Sequence, residues 1–384
     1  MEKGPMSRAS IAEAVGLTKS TVSSLVSELM ARGLLSELGR APVEGVGRPG
    51  QLVALSDETV VGLGLEINAD YLAACVLDLS GGVRFERFRR HDNMKTAVSD
   101  VLDALAELAE NALQEAEAEN LVPVGVTVAA PGLVETKSGT LLMAPNLGWS
   151  RTLICRELAD RLHRPRLYIT ADNEANLAAL GELWQGHGRE WHDFVHISGE
   201  IGVGGAITAG GELLRIGSGL GGELGHLSID PNGPECACGS RGCLESVVGQ
   251  EALLKAAGLD AEVGTSIGVP DGGVRLLVES AERGDRKTLD ALAIAGRALG
   301  LACGAVVNLV SPNTIVLGGI FAPLFDWLAG PLRAELEKRA LVARCSDIII
   351  VRSELGAAAA VRGAASLTLH AVFTDPYIVG SAKL

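Results

Sequence analysis

Residues 222–226 read Gly-Glu-Leu-Gly-His, and residues 236–245 read Cys-Ala-Cys-Gly-Ser-Arg-Gly-Cys-Leu-Glu. Three cysteines in C-x-C-x4-C spacing, with His226 ten residues upstream, make one compact donor set. Three thiolates and one imidazole fill the tetrahedral shell of a structural zinc and leave no position for water. His226, Cys236, Cys238 and Cys243 are therefore the expected ligands, and Zn2+ is the expected cofactor. Gly239 and Gly242 allow so short a loop to bend back on an ion. The chain has seven cysteines. An odd count with three crowded together fits a reducing compartment better than a disulfide framework. Cys75, Cys155, Cys303 and Cys345 stand alone in apolar stretches and read as core.

On either side of this segment, strands and helices alternate. Strand-like runs fall at Val60–Ile67, Tyr71–Leu79, Val83–Arg89, Pro123–Ala129, Leu167–Thr170, Phe194–Ser198, Val203–Ala209, Thr314–Leu317 and Ile348–Val351. Helical spacing covers Thr96–Ala118, Arg151–Leu162, Glu174–Trp184, Leu289–Leu309, Pro323–Arg339 and Ala357–His370. Such alternation predicts an α/β fold with helix-covered sheets. Three strands before the first helix predict a sheet that opens with a meander. A length of 384 residues implies two or three domains, and 47% hydrophobic content excludes wholesale disorder. The longest apolar run, Ala298–Val307, ends at Asn308 and is too short to span a bilayer. The N-terminus lacks the apolar region of a signal peptide. A cytoplasmic protein with no membrane partner is expected.

The net charge of −14 excludes a wholly basic nucleic-acid binder, but the charge is uneven. Residues 1–50 carry six Lys/Arg and five Asp/Glu, whereas the rest carries 27 against 42. Only the first fifty residues would not repel phosphate overall. Ser7–Val15 has helical spacing through Ile11, Ala14 and Val15; Gly16-Leu17 then turns sharply, and Thr18 is a good N-cap for a second helix, Lys19–Arg32. That helix is expected to bury Val22, Leu25, Val26 and Leu29. Its early polar residues, Lys19, Ser20, Thr21, Ser23 and Ser24, suit phosphate and base-edge contacts in a major groove. Leu34–Leu35 and Leu52–Leu55 are candidate strands of a wing around the loop Gly39–Gly50. Arg48, beside Pro49 and between two glycines, is placed to enter a narrow minor groove. An ordinary helical hairpin with a solvated Ser-rich face has the same spacing.

Residues 7–35, SRASIAEAVGLTKSTVSSLVSELMARGLL, followed by GRPG at 47–50, resemble the winged helix–turn–helix of bacterial repressors. Such domains begin with a further helix. Met1 falls just before the second, so the first is expected to be missing, with Leu25 and Leu29 partly exposed. The His226–cysteine segment resembles the signature of the ROK family (repressor, open reading frame, kinase). The likeness extends through Ala130-Pro-Gly132, Ala144-Pro-Asn-Leu-Gly-Trp149, Ala171-Asp-Asn-Glu-Ala-Asn176, Ser198–Gly205 and Val316-Leu-Gly-Gly319. It implies an actin/hexokinase-like fold, two α/β lobes flanking a cleft. The winged head would occupy 1–55 and the two-lobed unit 56–384. Lobe 1 would span about 58–170 and lobe 2 about 171–384, with the final helix a candidate to return to lobe 1. Carried over motif by motif, the sugar contacts would be Asn146, Asn173, Glu174, Glu223, His226 and Glu245. Amides and carboxylates supply the paired donors and acceptors that hydroxyl-rich rings need.

A kinase of this family needs more than a sugar pocket. Kinases carry Asp as general base where this chain has Glu174, one methylene longer. Their first phosphate motif, DxGxT, aligns with Glu66-Ile-Asn-Ala-Asp70, where the glycine that allows close backbone approach is replaced by Asn68 and the Thr by the acid Asp70. Their second, GTGxGGG, aligns with Gly199-Glu-Ile-Gly-Val-Gly-Gly205, where Glu200 replaces the hydroxyl. Both elements have gained negative charge where a triphosphate would lie. The expected function is a non-catalytic, sugar-responsive repressor. Its expected partners are operator DNA and a monosaccharide effector, and a homodimer or dimer of dimers is expected. The alternatives are a sugar kinase with a vestigial head and a regulator controlled by a protein partner.

Overall fold

The computed structural model describes residues 4–40, 50–215, 217–260 and 272–379. The N-terminal head runs β1 (Met6–Ser7), α1 (Arg8–Val15), α2 (Lys19–Ala31), β2 (Leu35–Arg40) and β3 (Gln51–Leu55). Ser7 and Thr18 cap the two helices; their hydroxyls accept from the amides of Ser10 and Thr21 at 3.1 and 3.2 Å. Gly16, at φ +69°, ends α1 in the left-handed region that glycine adopts without strain. β3 pairs antiparallel with β2 on one side and β1 on the other. Arg48 lies outside the described residues.

Ala12, Val22, Val26 and Val53 form the core of the head. Leu25 has the spacing of a buried residue, but the partial exposure also expected of it is what the structure shows: it is 45% exposed, with Val15 and Leu17 also at the surface. Helix α1 is only eight residues long and buries Ala12 alone, so one flank of each helix stays uncovered. Leu29 and Leu34 face the other way and pack onto the body of the protein with Val60, Leu79 and Val379.

The body holds two five-stranded sheets with one shared topology. The first contains β4 (Val60–Ile67), β5 (Tyr71–Asp78), β6 (Val83–Arg90), β7 (Val122–Ala130) and, after it in the chain, β11 (Tyr168–Asn173), in the order β11-β7-β4-β5-β6. The second contains β12 (Phe194–Gly199), β13 (Val203–Ala209), β14 (Glu212–Leu213), β15 (Thr314–Gly319) and β16 (Ile349–Arg352), in the order β14-β13-β12-β15-β16. Each is an antiparallel three-strand meander extended by two parallel strands. Between β7 and β11 lie β8 (Leu133–Glu135), β9 (Thr140–Ala144) and β10 (Trp149–Thr152), a small sheet of its own. Arg151–Leu153 were expected to open a helix. Strand β10 claims Arg151 and Thr152 instead, Arg151 sits at φ +50°, and the helix starts at Ile154.

Helices cover both sheets. α3 (Val98–Ala118) and α4 (Ile154–Leu162) lie on the outer face of the first sheet, and α3 buries Val101, Leu102, Leu105, Leu108 and Leu113 along one stripe. α5 (Glu174–Trp184) packs on β12 and β13, beyond which come α6 (Glu245–Val248), α7 (Gln250–Ala257), α8 (Gly272–Glu282) and α9 (Arg286–Val310). α9 is long and apolar enough to cross a bilayer, but Leu292, Leu299, Cys303 and Val307 are buried in the second core, against α10 (Phe325–Arg339). Of the cysteines read as core, Cys75 and Cys303 are buried, Cys155 is half-buried and Cys345 is exposed.

The last helix, α11 (Ala359–Thr374), returns to the first sheet and crosses α5. Glycines dictate this close approach. Gly64 of β4 meets the Val361 carbonyl, and Gly363 and Gly181 bring the α11 and α5 backbones together. The two helices thus form a small-residue layer between the sheets, with Ala178, Ala179, Ala360 and Ala364 at its centre.

Candidate functional site

Strands β7 and β11 run parallel and end side by side at Ala130 and Asn173. Carboxyl ends of parallel strands open a crevice where ligands bind in α/β sheets. A solvent-open cleft lies there. It is lined by Gly132, Leu133, Asn173, Asn176, the 219–222 loop and Glu223. Asn173 also caps α5: its Oδ1 accepts from the amides of Ala175 and Asn176 at 2.9 and 3.1 Å, and its Nδ2 donates to the Gly132 carbonyl at 2.8 Å. One amide hydrogen is left for a ligand.

His226, Cys236, Cys238 and Cys243 converge although the first and the last are 17 positions apart in the chain. Their ligand atoms all lie within 4.8 Å of one another. His226 Nδ1 is 3.7 Å from Cys236 Sγ, and Cys238 Sγ is 3.7 Å from Cys243 Sγ. A zinc tetrahedron with ~2.3 Å metal–sulfur bonds has edges of about 3.8 Å. The donor set therefore fits zinc. Gly239 at φ +89° and Gly242 at φ +63° turn the loop, and a Cβ at Gly242 would collide with the Asp230 carbonyl.

A line of polar contacts joins this cluster to the cleft. His226 turns its other nitrogen, Nε2, toward Glu223 Oε2 at 3.9 Å. Glu245, the first residue of α6, has Oε1 3.7 Å from Cys236 Sγ. Its Oε2 accepts from the Val203 amide at 3.0 Å and from Asn146 Nδ2 at 3.4 Å. Asn146 sits on a 3-10 turn at Pro145–Leu147, between β9 and β10.

Glu174 faces a second, adjoining hollow, lined also by Glu66, Ser198, Glu200, Gly356 and Ala357. Glu66 is 2% exposed and accepts from the Tyr71 hydroxyl at 2.6 Å. Burial pushes its carboxyl up to about 7, against the opposing pull of Tyr71, Asn68 and the Val361 amide. Burial, then the carboxylates of Glu66, Glu223 and Glu245, pushes Glu174 up to about 8. The ordinary Glu value is 4.5, so the contribution of Glu174 to stability is full below about pH 4.5 and is lost as pH rises through about 8. Glu174→Gln is accordingly expected to gain thermal stability on the parent between about pH 5 and about pH 9. Parallel melting profiles for the two proteins would contradict this.

The glycines of residues 199–205 are occupied by packing. A Cβ at Gly199 would strike the Phe321 ring, at Gly204 Ala175, at Gly205 Leu224, and at Gly202 the side chains of Asn146 and Glu245. Glu200 donates its amide to Gly202 at 2.7 Å inside its own turn.

The ROK family model matches residues 62–371. This chain belongs to the ROK family. The IclR-type helix-turn-helix model matches residues 2–39. A putative xylose repressor from Caldicellulosiruptor sp. is 31% identical over 97% of this chain and 93% of its own length. Among solved structures, a ROK family transcriptional regulator homologous to the E. coli MLC protein superposes with a TM-score of 0.79 at 25% identity, covering 98% of this chain and 96% of that one. A ROK family glucokinase from Streptomyces griseus, in complex with glucose and AMPPNP, superposes with a TM-score of 0.68 at 26% identity, covering 80% and 98%.

In this ROK protein the residues expected to contact DNA, Arg48 apart, fall in the first two turns of α2. Lys19, Ser20, Thr21 and Ser24 are exposed and Ser23 is half-buried. Two residues beside the cleft had not been singled out. Asn176 lines it one helical turn after Asn173 and donates to Asp172 Oδ1 at 3.1 Å. Arg215, just after β14, pairs with the buried Asp172 and so ties the second sheet to the first. The Asn-x-x-Asn spacing was a signal for Asn176. No local signal marks Arg215, whose partner lies 43 residues away.

Proposed function

We propose that the protein is a sugar-responsive transcriptional repressor that does not transfer phosphate and works in the cytoplasm. One observation carries this reading. A helix-turn-helix head is joined to a sugar-type cleft whose phosphate side is lined with carboxylates. Sugar would be held by Asn146, Asn173, Glu174, Glu223, His226 and Glu245. Zinc on His226, Cys236, Cys238 and Cys243 would hold the His226 and Glu245 segments in place, a structural task that needs no open coordination position. Two protomers would present two heads to a two-fold operator.

A physical route from cleft to head runs through α5 and α11. Asn173 caps α5 at the cleft, α5 crosses α11 at Gly181 and Gly363, and Trp184 stacks on His370 with ring centroids 4.9 Å apart. Beyond α11, the Tyr377 hydroxyl donates to Glu28 Oε1 at 2.9 Å, and the Arg32 guanidinium lies 4.1 Å over the Tyr377 ring. Both partners flank the end of α2. A sugar that favours the closed lobes would shift α11 and with it the head.

The test is fluorescence anisotropy with DNA from upstream of the protein's own gene, titrated with monosaccharides. One sugar is expected to weaken binding tenfold or more, on the order of typical allosteric couplings. Tyr377→Ala is expected to retain DNA and sugar binding but to shrink that response severalfold. Sugar-dependent consumption of ATP would overturn the non-catalytic reading and favour the glucokinase-like alternative.

A further inference from the structure

Asp172 stands next to the last residue of β11 and is 1% exposed. Its Oδ1 accepts from the backbone amide of Asn173 at 2.7 Å and from Asn176 Nδ2 at 3.1 Å. Both asparagines line the cleft, so one buried carboxylate sets the position of that wall. A carboxylate taken out of water is costly unless a cation matches it. The match is Arg215, which reaches it from beyond the second sheet. Its Nη2 bonds Oδ2, and its Nη1 stands 3.5 Å from Oδ1. A planar fork set on both oxygens fixes direction as well as distance, which a point charge does not.

Arg215 is also the near anchor of the facing wall. The amide of Leu214 is still bonded to Ile207 at 2.8 Å, and four of the six residues at 217–222 are glycine. Residues 219–222 line the cleft opposite the asparagines. Nothing stands within 4 Å of where a Cβ would lie at Gly217, Gly219 or Gly221, so packing does little to hold this stretch. Glycine also loses the most freedom when ordered. The far end is held, because Glu223 meets His226 and Leu224 packs in the second core. The near end is held through Arg215. Neither Arg215 nor Asp172 is itself part of the cleft's lining.

We propose that Arg215 is a positioning residue for the sugar: by gripping Asp172 it orders the glycine loop and the Asn173–Asn176 wall against each other before the sugar arrives. The inference rests on the effector reading of the cleft given above. Ordering done in advance is not charged to binding, so the pair raises affinity without touching the ligand.

Isothermal titration calorimetry of the full chain with D-xylose, D-glucose and N-acetyl-D-glucosamine tests the proposal, beside amide hydrogen exchange of the sugar-free protein. For the sugar that binds, Arg215→Met is expected to weaken affinity at least about tenfold while the fraction of chains that bind stays that of the parent. A merely structural role would lower that fraction and leave the Kd of the folded chains unchanged. Arg215→Lys keeps a charge near Asp172 but loses the fork, and serves as the second variant should Arg215→Met fold poorly; a smaller loss is expected. In an Asp172→Asn background, Arg215→Met is expected to cost less than about threefold, because the pair is already broken. Exchange at the 217–223 amides is expected to quicken at least about tenfold in Arg215→Met. Parent-like affinity in both Arg215 variants overturns the proposal. An equal loss with and without Asp172 overturns the assignment to that pair. If no sugar binds the parent, the effector reading fails. Exchange then decides the rest: quickened exchange still assigns the ordering of the loop to Arg215, and unchanged exchange overturns that too.

Discussion

Cys243→Ser is expected to purify without zinc, to melt at a markedly lower temperature and to lose sugar binding. Cys243 is fully buried, and the segment around it has little regular structure of its own. A 3-10 turn at Leu224–His226 leads in, and two isolated bridges, Ser228 to Cys243 and Glu235 to Arg241, hold the loop. Twenty residues with so few ladder bonds cannot offset their conformational entropy unaided. A bound zinc would supply the difference: structural sites in small peptides contribute roughly 10–16 kcal/mol. Here the loop also packs on a formed lobe through Leu224 and Leu244, so a smaller loss, of at least ~3 kcal/mol, is expected when one ligand goes. That corresponds to a fall in Tm on the order of 5–10 °C. Sugar affinity falls with it, by about 100-fold or more, because Glu223 and Glu245 are positioned by contacts to His226 and Cys236. Metal analysis by atomic emission, calorimetric melting and sugar titration read the three effects separately. Cys345→Ser, at an exposed thiol, is the control and is expected to keep its zinc. A zinc-free Cys243→Ser protein with unchanged Tm and sugar affinity would refute the structural role.

Gly363→Ala is the second large effect. A methyl group looks harmless in the middle of a helix, and by propensity alone alanine is favoured there by about 1 kcal/mol. The crossing of α5 and α11 reverses the sign. A Cβ at Gly363 would lie well inside contact distance of the Leu177 carbonyl and 2.9 Å from the Gly181 amide nitrogen. Both are backbone atoms, so no rotamer change relieves the clash and the helices must separate. Separation would loosen the layer between the sheets, where Ala178, Ala360 and Ala364 are packed with little spare volume. A net destabilisation of about 3 kcal/mol is expected, at the upper end for overpacking. It would appear as a fall in Tm on the order of 5 °C. The same crossing lies on the route from cleft to head, so DNA release by sugar is expected to weaken as well. A Gly363→Ala protein as stable as the parent would show that α11 can move away from α5 without cost.

Local patterns made much of this molecule legible in advance. The α3 stripe, the strand runs of both sheets and the caps at Ser7 and Thr18 follow from hydropathy period and side-chain chemistry, which act over a few residues. The cluster that could hold a metal was legible because three of its four members fall within eight residues. Helical spacing by itself fell short where a neighbouring element decides. Arg151 and Thr152 have helical surroundings, yet pairing with β9 holds them in a strand. Leu25 has the spacing of a buried residue, but burial requires a partner surface that the short α1 does not provide.

The sequence by itself determined the fold class, the His226–cysteine cluster and the family, because each is written in residue types at fixed short spacings. It also showed acids in two separate phosphate motifs. Only the tertiary structure decided that Glu66, Glu174 and Glu200 share one hollow, that Asp172 pairs with Arg215 across the cleft, and that Tyr377 clasps the end of α2. These contacts join residues 26 to 349 positions apart. No local spacing encodes them. They follow from how two sheets of equal topology are held apart by one layer of small residues, and from where that layer lets the last helix end.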